Sequence, residues 1–118
     1  MKNNFLITVS LLMMPLIAGT TGKLSGTILN EKTSEPLIGC NIIIENTYLG
    51  ASSDLNGDYT ILNIPPGKFD VRFEMIGYKK LRQEGVLISV DKTTRLDITM
   101  RQSVIQGDMV TVKADRKL

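Results

Sequence analysis

The strictest pattern in the chain lies in residues 68–75. Phe69, Val71, Phe73 and Met75 fall on one side of an extended backbone, and Lys68, Asp70, Arg72 and Glu74 on the other. Successive side chains point to opposite faces of a strand. Apolar residues alternating with charged ones therefore predict a half-buried antiparallel strand. The same period recurs along the chain. Leu24, Gly26 and Ile28 share one face, against Ser25 and Thr27. Cys40, Ile42 and Ile44 alternate with Asn41, Ile43 and Glu45; Ile43 interrupts the polar face, which predicts partial cover there. Val86, Ile88 and Val90 are expected to point inward, with Ser89 and Asp91 outward. Leu96, Ile98 and Met100 repeat the pattern against Arg95, Asp97 and Thr99, and Tyr59 and Ile61 supply inward residues from a shorter strand. No segment after residue 22 keeps a 3.6-residue period.

The breaks between these runs have physical causes. Residues 30–35 form a polar turn, and Pro36 fixes the chain as it enters the next strand. Asn56-Gly57 is a tight-turn pair, since both residues tolerate positive φ. Pro65, Pro66 and Gly67 stiffen a connection and then reverse it, and Gly77 permits a kink before Tyr78. Short strands with turns about every ten residues predict an all-β sandwich. The count is seven strands if residues 49–53 form a short edge strand.

The N-terminus reads differently. Lys2 precedes a nearly uncharged apolar run from Phe5 to Ala18, followed by small residues at Ala18, Gly19, Thr20, Thr21 and Gly22. This is the layout of a secretory signal peptide. The run is shorter than the roughly 20 apolar residues that span a bilayer, and Pro15 sits near its end. Residues 1–22 are accordingly assigned as a leader, cleaved near Thr20 or Gly22. The 14 basic residues exceed the 12 acidic ones by two, and Lys2 is one of them. No basic face emerges, so nucleic acid is not an expected partner. Lys113, Arg116 and Lys117 read as a solvated tail.

Candidate chemistry is sparse. The chain has no histidine, which removes the usual general base, the Ser-His and Cys-His pairs and most zinc sites. Cys40 is the only cysteine, so no intrachain disulfide can form. Leu37-Ile38-Gly39-Cys40 has the outline of a lipidation box, but charged and polar residues precede it, and a buried strand cysteine is expected instead. Asp54, Asn56 and Asp58 resemble the start of a calcium loop. An EF-hand needs glycine at position 6 and glutamate at position 12; here Gly57 falls at position 4 and Pro65 at position 12. The segment is expected to be a hairpin turn. No catalytic, cofactor or metal residues are assigned.

Five short motifs in order remain: Gly26-Thr27-Ile28, Pro36-Leu37-Ile38-Gly39, Asp54-Leu55-Asn56-Gly57-Asp58-Tyr59, Pro66-Gly67 and Gly77-Tyr78. Their order resembles the carboxypeptidase-regulatory-like domain, over roughly residues 22–101. The resemblance implies a seven-stranded Greek-key β-sandwich of the transthyretin-like kind, a scaffold without catalytic machinery. A fold does not give a function, so the ends of the chain carry the functional reading.

In exported Gram-negative proteins such a sandwich often begins a TonB-dependent outer-membrane receptor and precedes an acidic–apolar segment, the TonB box. Asp108, Met109, Val110, Thr111, Val112, Lys113 and Ala114 look like that segment, departing from it at Thr111 and Lys113. Met109, Thr111 and Lys113 share one side of an extended strand, and Val110, Val112 and Ala114 the other. Such a peptide can add to the edge of a partner's sheet; an ordinary final strand or linker has the same pattern. The expected organisation is a signal peptide at 1–22, a sandwich at 23–101 and a linker with the TonB-box-like segment at 102–118. A receptor also needs a plug and a membrane barrel, so the expectation is an N-terminal accessory domain of a larger receptor. It would serve as a periplasmic spacer or docking module whose partners are a TonB-type energy-coupling protein, another periplasmic protein, or the rest of the receptor. The alternative is a stand-alone exported module binding carbohydrate or protein, with Tyr48 as its only plausible exposed platform. A zinc carboxypeptidase activity lacks its histidine ligands.

Overall fold

A computed structural model describes residues 19–103 and 109–114. Nearly all of the leader assigned above lies outside the described residues, although Gly22 already belongs to the first strand. The strands are β1 (Gly22–Asn30), β2 (Asn41–Ile44), β3 (Gly50–Ser52), β4 (Asp58–Ile64), β5 (Gly67–Glu74), β6 (Lys80–Ile88), β7 (Thr93–Arg95), β8 (Ile98–Met100) and β9 (Met109–Val112). They form two sheets. One has the order β4-β1-β7, with β8 also on β1; the other runs β3-β2-β5-β6-β9. The fold is an all-β sandwich.

Its core is built mostly from inward positions that alternation predicts, with Ile64 added, while Phe69, Met75 and Leu96 are only partly buried against it. Leu24 and Ile28 of β1, Tyr59, Ile61 and Ile64 of β4, and Ile98 and Met100 of β8 are buried from one sheet. Cys40, then Ile42 and Ile44 of β2, Val71 and Phe73 of β5, and Val86 and Ile88 of β6 are buried from the other. The rings of Tyr59 and Phe73 meet edge to face across the layers, with centroids 5.9 Å apart and planes at 76°. Cys40 Sγ lies 3.5 Å from Met100 Sδ, a second inter-sheet contact. Ile43 is half-buried, as its interruption of the polar face predicts.

Four details differ from the expectation, each with a local cause. First, the single strand expected around Leu96–Met100 is divided. Between β7 and β8, Asp97 turns its carboxylate onto β1, where Oδ1 accepts the Thr27 N–H at 2.9 Å. The Leu96 carbonyl, out of the ladder, accepts the Tyr59 hydroxyl at 2.7 Å. Gly26 makes this approach possible, since a Cβ there would lie 1.8 Å from Leu96 O. Second, β9 adds a strand beyond the expected seven. Third, β6 begins at Lys80 rather than near Val86, and Val90 lies past its end, 39 % exposed. Fourth, only Gly57 of the Asn56-Gly57 pair takes positive φ, at 78°. Asp54 Oδ1 instead closes the turn by accepting the N–H groups of Asn56 and Asp58, each at 2.9 Å.

A bulge shapes the middle of β5 and β6. Phe69 pairs with Val86 and Val71 with Gln83, so Glu84 and Gly85 together face Asp70. Gly85 holds φ at 70°, and its N–H donates to Asp70 Oδ1 at 3.1 Å. Bulges of this kind redirect a strand and increase its twist.

Candidate functional site

The described residues converge on one feature at the β6 edge of the larger sheet. Met109–Val112 lie beside β6 in parallel, in the register Lys80↔Met109, Leu81↔Val110, Arg82↔Thr111 and Gln83↔Val112. Asp108 lies outside the described residues. Lys113 and Ala114 continue past β9, both exposed. The alternation expected of the segment is present. Val110 and Val112 turn toward a groove of about 300 Å³ floored by Leu81, Ile98 and Met100, whereas Met109 and Thr111 do not line it. The groove opens because the smaller sheet ends at β8 while the larger one continues to β9. The two valines stay 38 % and 41 % exposed, so the groove holds them without enclosing them.

The rim of the groove is charged. Glu31, Lys79, Asp97 and Arg101 surround the apolar floor. Glu31 and Arg101 pair at 3.0 Å, and the guanidinium holds the Glu31 carboxyl below the usual carboxylate range. At the far end, Ala114 fills the slot left by the bulge: a Cβ on Gly85 would lie 2.7 Å from the Ala114 Cβ. Leu81, Gln83 and Gly85 thus receive the segment. The alternation analysis missed them, because Leu81 is the only apolar residue in the run 79–84. The glycine after that run was the available signal.

The outer face of the same sheet carries an ion-pair lattice. Arg72 pairs with Glu45 at 3.0 Å and with Glu74 at 2.5 Å. Arg82 reaches Glu45 at 3.0 Å, Asp70 at 3.1 Å and Glu84 at 3.8 Å. Its Nε–H is buried without an acceptor among the described residues. Asp70 and Arg72 of the alternating run thereby meet opposite charges on β6 and at Glu45, just past β2, and Glu74 pairs with Arg72.

The remaining candidates have structural partners. Asp54 caps its own turn, and the Thr27 hydroxyl donates to Asp58 at 2.6 Å. Among the described residues, no group of three or more His, Cys, Asp or Glu side chains is arranged to hold a metal ion. The Cys40 thiol is pushed up to about 12 by burial, which leaves it unreactive as a nucleophile. Tyr78 ties the first turn to the C-terminal exit: Asn30 Nδ2 donates to its hydroxyl at 2.9 Å, and its backbone bridges Gln102. Tyr48 is fully exposed at the β2–β3 turn.

The sequence model of the CarboxypepD_reg-like domain matches residues 24–112. The chain belongs to this family. The match runs through β9. A TonB-dependent receptor, P3 of Formosa agariphila, is 28 % identical over 133 aligned positions that take in 96 % of this chain. The chain spans 13 % of that receptor's length. Solved structures resemble this CarboxypepD_reg-like domain in fold. A type II cohesin–X-dockerin complex of Acetivibrio cellulolyticus gives a TM-score of 0.59 at 21 % identity, covering 67 % of this chain and 56 % of that one. The minor pilin GBS52 of Streptococcus agalactiae gives 0.53 at 16 % identity, covering 75 % and 48 %. A putative carbohydrate binding protein of Bacteroides uniformis gives 0.52 at 18 % identity, covering 66 % and 40 %.

Proposed function

We propose that this CarboxypepD_reg-like domain is a non-catalytic accessory module of a TonB-dependent outer-membrane receptor. In this reading it is exported through the leader at residues 1–22 and works on the periplasmic side. Residues 108–114 are the segment offered to a TonB-type energy-coupling protein. The observation that carries the reading is the exposed alternating strand Met109–Val112 at the edge of a sandwich whose sequence resembles part of such a receptor. An extended strand at a sheet edge is the chemistry of β-augmentation, in which main-chain hydrogen bonds supply affinity and alternate side chains supply selectivity.

Calorimetry with the C-terminal domain of TonB and a peptide of residues 106–118 tests the reading. Saturable binding, lost on Val110→Asp, is the expected result. No heat of binding would remove the docking role.

Tyr48 favours a second reading, a carbohydrate- or protein-binding module. Its ring is fully exposed at a hairpin tip, where a sugar could stack on it. A glycan array on which the chain and its Tyr48→Ala variant behave alike would eliminate a Tyr48-centred sugar site.

A further inference from the structure

Asn56-Gly57 is the only asparagine–glycine step in the chain, and it carries a chemistry of its own. An asparagine amide stands one ring closure away from the next backbone nitrogen. That nitrogen gives its proton to hydroxide and attacks Cγ. The Cγ–N bond of the side-chain amide breaks, ammonia leaves with a proton taken from water, and a five-membered succinimide remains. Water then opens the ring at either carbonyl, which leaves aspartate or isoaspartate. Glycine favours the attack because no side chain crowds its nitrogen. The other asparagines among the described residues precede Glu31, Ile42, Thr47 and Ile64, whose side chains do crowd it.

The fold clasps this step. Asn56 is exposed, but Gly57 is buried. The Gly57 N–H donates to the Asp54 carbonyl at 2.9 Å, and the Gly57 carbonyl accepts the Ile28 N–H of β1 at 2.8 Å. Asp54 Oδ1 takes the N–H groups on either side, at Asn56 and Asp58. Pro36 closes the remaining side, since a Cβ on Gly57 would lie 3.0 Å from the Pro36 Cβ. Ring closure must turn the Asn56–Gly57 peptide and take its N–H from the Asp54 carbonyl, so the turn has to open first. We propose that Asn56 is a self-modifying site gated by the Asp54 turn: opening exposes the step to deamidation, and conversion keeps the turn from closing again. Isoaspartate routes the main chain through the former side-chain methylene. The backbone is then one atom longer between two fixed points, Asp54 and the Ile28 N–H, and the Gly57 carbonyl no longer meets β1. This turn leads into β4, which pairs with β1. A local opening that is otherwise reversible thus leaves a covalent record beside the smaller sheet.

The test holds the whole chain in mildly alkaline buffer beside a peptide of residues 52–60, and follows isoaspartate at residue 56 by peptide mapping and mass spectrometry. The peptide has no clasp and sets the free rate. The native chain should convert more slowly by at least about tenfold, the factor that one hydrogen bond to a charged acceptor supplies. Asp54→Ala removes Oδ1 and should raise the rate of the chain about tenfold. Asp54→Asn keeps an oxygen acceptor without the charge and should fall between the two; it carries the test if Asp54→Ala does not fold. Circular dichroism shows whether each variant keeps the sandwich. A native chain that converts as fast as the peptide, or a folded Asp54 variant that converts no faster than the native chain, would overturn the gate. Amide exchange at Ile28 reads the consequence. Faster exchange in converted chains is expected, and unchanged protection would show that conversion does not hold the turn open.

Discussion

Gly26 is the residue on which the smaller sheet turns. It admits the Leu96 carbonyl against β1, and Tyr59 and Asp97 complete the polar contacts around it. Gly26→Ala would place a methyl group 1.8 Å from a backbone oxygen. The backbone must shift, so we expect a loss of about 3 kcal/mol, at the upper end for overpacking, measured by urea unfolding. Tyr59→Phe is gentler: it strips the Leu96 carbonyl of its donor and should cost about 1–3 kcal/mol. Cys40 sets a pH dependence. Burial raises its thiol from 9.0 to about 12 in the folded chain. The unfolded chain therefore gives up that proton first as pH rises. The associated stability is complete below about pH 9 and is lost between 9 and 12. Denaturant midpoints should fall across that window, and less so in Cys40→Ala. In the native protein at pH 8, iodoacetamide should leave Cys40 unlabelled.

At the scale of elements, much of the fold was legible because inward and outward positions separate cleanly by chemistry. In β5, Val71 and Phe73 went inward while Arg72 and Glu74 went to the ion-pair lattice, as the alternation required. Phe73→Ala should cost about 3–5 kcal/mol, the usual range for a buried aromatic; it also removes the ring against which Tyr59 packs. The break between β7 and β8 was not legible. It depends on Asp97 reaching a backbone N–H seventy positions away, and no local pattern encodes such a partner. The first half of β6 was also hidden. Its outward residues are charged and its inward face has only Leu81 and Gln83, so alternation has little contrast there. For the candidate site, the segment's period was visible, but the groove that receives it depends on which strands end each sheet.

At the scale of the molecule, the docked strand adds little to stability because all four of its residues stay exposed. A chain ending after Ser103 should therefore keep the sandwich, with unfolding free energy within about 1 kcal/mol of the longer chain, the range of surface changes. A much larger loss would show that β9 belongs to the core structure rather than to a detachable edge. The family match extends through residue 112 and so takes in this weakly held strand.

The position of β1 has a further consequence, for the order in which the molecule can assemble. This first strand lies between β4 on one side and β7 and β8 on the other, and its register with β8 joins Ile28 to Ile98. The earliest strand to emerge is thus completed only by nearly the last. Such distant closure makes folding slow, in the millisecond-to-second range typical of β-sandwiches. The smaller sheet therefore cannot close until residues 98–100 are available to pair with β1, whatever the rest of the chain has already formed.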